Sequence, residues 1–126
     1  MATSVRDFER TFVAAADLSA KQFFIVKLDS SANGVALSAA ATDVHIGVLQ
    51  NTPASGEAAT VRFLGTSKVV AGAAITKGAY VASDASGKAA ATTADKDNAI
   101  GIALEAAAAD LDVIEILLLA GVERSV

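Results

Sequence analysis

The chain has 126 residues, enough for one domain or two closely packed half-domains, and its 53% apolar content is rich in alanine, with 5% aromatic and no Trp. Such small side chains remove little area from water, so an isolated monomer is expected to have a thin core that an oligomer or a larger surface completes. A net charge of −4 without a Lys/Arg cluster argues against a nucleic-acid partner, and the lack of cysteine excludes disulfides and thiolate metal sites.

Met1 to Asp7 carries acids and no apolar stretch, so it is not expected to be a secretory signal. Residues 1–19 read as an N-terminal arm. Val5, Phe8 and Phe12 fall at i, i+3 and i+7, which suits one face of a short helix; an extended arm packing the same residues on a neighbour suits them equally. Phe23 to Leu28 reads as a strand, with Phe24, Val26 and Leu28 on one side and Ile25 and Lys27 on the other. Asp29 to Gly34 is turn chemistry, and Val35 to Leu37 returns as the partner strand. His45 to Gln50 is a further strand, followed by a loop that holds the only proline, Pro53. Thr60 to Leu64 alternates, with Val61 and Phe63 inward, and Val69 to Gly78 connects the first half of the chain to the second.

The second half repeats the series of the first. Tyr80-Val81-Ala82, the turn Asp84 to Gly87, Lys88 to Ala91, Ile100 to Leu104 and Asp112 to Leu119 come in the same order. Offsets of 55, 54 and 53 residues separate Asp29 from Asp84, Gly47 from Gly101 and Val61 from Ile114. Ala103 to Leu111 has high helix propensity but aligns with the Pro53–Gly56 loop, so a hairpin loop is expected. The fold class is therefore all-β: a compact β-barrel or β-sandwich over residues 20–119, built from pseudo-repeated halves 20–65 and 75–118, with a tail at 120–126. Ile114 to Gly121 is interrupted by Glu115 and far shorter than the ~20 residues of a spanning helix, so no membrane partner is expected.

Reactive groups are few. His45 is the only histidine, has Ala99 as its repeat mate, and reads as a strand-end residue facing solvent or a subunit. Asp29-x-Ser31-x-Asn33-Gly34 imitates the start of a calcium loop, but the position for the closing Glu is Ala40. Asp95 and Asp97 beside Lys96 read as a solvated turn. Ser86-Gly87-Lys88 lacks both the earlier glycine and the following Ser/Thr of a phosphate loop. Gly47 and Gly101, inside strands, read as bulge or close-packing positions. No enzyme and no cofactor are expected.

The run Val70-Ala71-Gly72-Ala73-Ala74-Ile75-Thr76-Lys77-Gly78-Ala79-Tyr80-Val81 resembles a pattern of small tailed-phage head proteins, the capsid decoration or structural cement family. So do Ile100-Gly101-Ile102-Ala103-Leu104-Glu105-Ala106-Ala107 and the closing Val113-Ile114-Glu115-Ile116-Leu117. Ile46-Gly47-Val48-Leu49 and Glu57-Ala58-Ala59-Thr60-Val61 carry a looser version in the first half. The resemblance implies a virion protein, made in the host bacterial cytoplasm, that sits on the outer face of an assembled capsid. It also implies bridging of major capsid protein subunits and a homo-oligomer, with a trimer preferred to a dimer. Val5, Phe8, Phe12, Val122 and Arg124 are the expected capsid or subunit contacts, because they lie outside the repeated halves. Competing readings are a tail, fibre or baseplate β domain, or a carbohydrate-binding β domain with Tyr80 as its one amphipathic aromatic.

Overall fold

The computed structural model describes residues 8–92 and 98–123. Nine strands are found among them: β1 (Phe8–Ala14), β2 (Ile25–Leu28), β3 (Gly34–Leu37), β4 (His45–Leu49), β5 (Ala58–Val70), β6 (Tyr80–Ser83), β7 (Ala89–Ala91), β8 (Asn98–Ala103) and β9 (Val113–Glu123). The fold is all-β, and Ala103 to Leu111 is a loop despite its alanines. Its residue Ala107 forms an isolated bridge with Ile75 and is buried, which ties the loop down as a helix there could not. No helix among the described residues is long and apolar enough to cross a membrane.

The strands run in the order β1-β3-β2-β4-β5-β9-β8-β6-β7, and an extra β1–β5 pairing closes the first five into a barrel. β1 is thus a barrel strand: it pairs antiparallel with β5 from Phe8 to Val13 and parallel with β3 at Val13 and Ala14. Of the two conformations open to this segment, the chain takes the extended one. Before Gly65, β5 pairs with β1 and β4; from Gly65 onward it pairs with β9. Val69 and Val70, expected in a connection, therefore continue the strand through a glycine at φ 99°, where the chain leaves the barrel for the second sheet. In that second sheet, a parallel bridge from Ala71 to Ala89 brings β7 back toward the end of β5.

Alternation assigns the two cores. Phe12, Ala14, Leu18, Val26, Val35, Leu49, Ala59 and Val61 fill the barrel. Ile25 and Val48 point the other way and pack with Val69, Val81, Ile100, Ile114, Ile116 and Leu118 between the barrel wall and the second sheet. Ile25 and Val26 of β2, and Val48 and Leu49 of β4, are consequently buried on both faces, which explains why each pair is apolar on successive residues. Two expected positions differ. Phe23 lies outside β2 at φ 68°, in the left-handed region, so the strand begins later than the apolar run. Phe63, expected inward with Val61, lies at the register irregularity of the β1–β5 pair and is 40% exposed.

Side chains bind the turns to this frame. The Asp29 carboxylate accepts hydrogen bonds from the backbone N–H and hydroxyl of Ser31, and Asp84 accepts from the N–H groups of Ser86 and Lys88. These are hairpin caps, each carboxylate closing its own turn. Asp43 gathers the N–H groups of Ala39 and Ala40 and the Lys27 ammonium at 3.2 Å. Asn98 donates to the carbonyls of Thr42 and Asp43 and so ties β8 to the loop before β4.

Candidate binding surfaces

The residues expected to make partner contacts are scattered by the fold. Val5 and Arg124 lie outside the described residues, as do Asp95, Lys96 and Asp97. Val122 pairs through its backbone with Ala99, near the end of β9. Phe12 is 8% exposed and its ring belongs to the barrel core. Phe8 is 52% exposed and its ring stacks on Phe63, with centroids 6.5 Å apart. A register irregularity between Phe8 and Glu9 separates the two rings, and Phe8 lies beyond it at the exposed end of the strand.

Three apolar surfaces stand out among the described residues. The first is the Phe8–Phe63 pair with Leu64 beside it on β5. The second crosses the outer face of the second sheet, where the register sets Tyr80 beside Ile102 and Ile102 beside Leu117. Tyr80 and Leu117 are both exposed there, and Leu104 extends the row. Sequence alternation hides this row, because inward Ile114, Ile116 and Leu118 interleave with outward Val113 and Leu117 in an apolar stretch broken only by Glu115. The third is a hollow of about 340 Å³ lined by Arg10, Phe12, Ile46 and Phe63, with His45, Ile100 and Leu119 beside them.

His45 does not face solvent: it is 9% exposed at the start of β4. Its Nδ1 lies 2.8 Å from the Ser38 hydroxyl, and its buried Nε2 has no hydrogen-bond partner. Burial pushes the imidazole below its ordinary pKa, against the smaller opposing pull of the Ala41 backbone and the Asp43 carboxylate. The folded state therefore holds His45 neutral while the unfolded chain takes up a proton near the ordinary value of 6.5. Its contribution is complete above that value and is lost as pH falls toward the folded-state pKa. Urea midpoints measured at pH 7.5 and pH 5 are expected to fall more for the wild type than for His45→Gln, and equal falls would refute this assignment.

Other charges are paired locally. Arg62 holds Glu9 at 2.6 Å across β5 and β1, and Lys88 holds Asp110 at 2.8 Å. Hydrogen bonds from Ser31 lower Asp29, and the Ala39 N–H leads the lowering of Asp43, so both stay ionised as turn fasteners. Among the described residues, no three His, Cys, Asp or Glu side chains gather as metal ligands. What this surface offers is apolar area and hydrogen-bonding rims, which suit binding.

Comparison with known proteins agrees in outline. A family model described as phage cement protein matches residues 7–118, which takes in both sheets. A solved structure, the head fiber gp8.5 N base in bacteriophage phi29, has a similar fold: TM-score 0.71 at 17% identity, covering 94% of this chain and 100% of that one. No curated protein matches the chain.

Proposed function

The chain belongs to the phage cement protein family, and from that membership we propose a non-enzymatic protein that binds the outer surface of an assembled head and bridges its major capsid subunits. The observation that carries this reading is the family match over residues 7–118, which leaves almost no described part of the fold outside it. The capsid structural role and the virion as its place follow from the family; the outer face and the bridging are our extension. Exposed apolar rows on a rigid β frame support them, since such area drives protein association. Purified protein is expected to co-sediment with capsids that lack it, and free protein left in the supernatant would sink the proposal.

A homotrimer is the proposed state, following the family. Light scattering across dilution is expected to hold the trimer mass, whereas a stable monomer at micromolar concentration would oppose it. We also read the molecule as one five-strand unit used twice, a reading supported by the pairing pattern. β1 lies parallel to β3 and antiparallel to β5, while the end of β5 bridges β7 in parallel and pairs antiparallel with β9. On this reading β1 is the first strand of the first copy and the repeat begins near Phe8. The likeness to the phi29 head fiber base favours a second reading, in which the chain is the base of a longer projection; electron microscopy of loaded capsids would reveal a protruding fibre.

A further inference from the structure

The β1–β5 pairing closes the first barrel around its circumference. Arg10, Phe12, Ile46 and Phe63 of the barrel, with Ile100 and Leu119 of the second sheet, line a hollow of about 340 Å³, within the range of pockets that seat a ligand or an anchoring side chain. Phe8, stacked on Phe63, extends the apolar wall outward. Two polar groups interrupt the carbon. Arg10 is held on the rim with its guanidinium 4.7 Å over the Phe12 ring and 3.3 Å from Asn33 Oδ1. His45 lines the same hollow, with its Nδ1 held by the Ser38 hydroxyl and its Nε2 buried. The nearest acid of β1, Glu9, has its carboxylate engaged by Arg62, which leaves Arg10 to set the sign of the rim.

We propose that this mouth is a socket for one large apolar side chain of the major capsid partner, presented beside an acidic residue that pairs with Arg10. The socket gives the partner a buried anchor, and the cation selects its neighbour. The inference rests on the head-binding reading above and adds which face does the binding.

Arg10→Glu and Phe63→Ser change exposed positions, so the far-UV spectrum should be retained. Each is expected to weaken capsid co-sedimentation at least about tenfold. Wild-type protein is also expected to enhance the fluorescence of anilinonaphthalene sulfonate, an aromatic anion, and added capsids should displace the dye. Variants that bind capsids as tightly as the wild type would overturn the socket while leaving head binding intact. Dye that binds the wild type but not Phe63→Ser, and that capsids fail to displace, would make the hollow a small-molecule site and overturn it equally. Wild-type protein that does not co-sediment at all would overturn the head-binding reading first, and the socket with it.

Discussion

Gly47→Ala and Gly101→Ala are expected to destabilise the fold by about 3 kcal/mol each, the upper end of what overpacking usually costs. Neither glycine has a positive φ, so strain is not the cause; close approach is. A Cβ on Gly47 would run into the backbone carbonyl of Arg62, and one on Gly101 into that of Leu117. Those carbonyls belong to β5 and β9, the long strands that join the two sheets, so neither can move without its neighbours. Relief by a flexible side chain is not available. In a chain of this size such a loss lowers the melting midpoint by about 10 °C, and midpoints within a degree or two of the wild type would show that the strands can part. Both glycines sit beside register irregularities, where a strand already departs from regular pairing.

The second large effect concerns β2. Ile25→Ala and Val26→Ala are adjacent, point to opposite faces, and are each expected to cost about 2–4 kcal/mol, because both side chains are fully buried. Ile25 packs into the layer between barrel and second sheet, Val26 into the barrel interior. Leu28→Ala, in the same strand and phase as Val26, should change stability by no more than about 0.5 kcal/mol, since Leu28 is 58% exposed. Urea unfolding of the three variants distinguishes two-sided burial from a simple half-buried strand. In the latter, one of the first two substitutions would be nearly silent. A neutral Ile25→Ala would mean that the second sheet does not depend on the barrel wall.

Much of this architecture is legible locally. β-branched runs, Asn-Gly and Ser-Gly turns and glycines at matching places announce the hairpins β2–β3 and β6–β7 and the strands β4 and β8. Each such signal is a short-range preference of the backbone, so it survives without knowledge of partners. The candidate surfaces are less legible. Phe8 and Phe12 look alike in sequence, yet Phe12 reaches the barrel interior and Phe8 its rim. Phe63 shares its phase with Val61, but the β1–β5 register breaks beside it and leaves it exposed. His45 reads as a surface residue until Ser38 and the hollow are brought against it. Ring closure is hardest of all, because β1 meets β5 across about fifty residues and nothing local marks that meeting.

The sequence by itself determined the class of the protein: all-β, alanine-rich, with little reactive chemistry and with the look of a phage head cement protein. Those properties reside in composition, alternation and turn chemistry, which act within a few residues. Only the tertiary structure decided that the segment before the first expected strand closes a barrel, and that β5 runs through Gly65 to serve two sheets. It also decided which apolar side chains remain outside. Those outcomes depend on long-range pairing and its register, and burial follows from that geometry more than from the identity of any one residue.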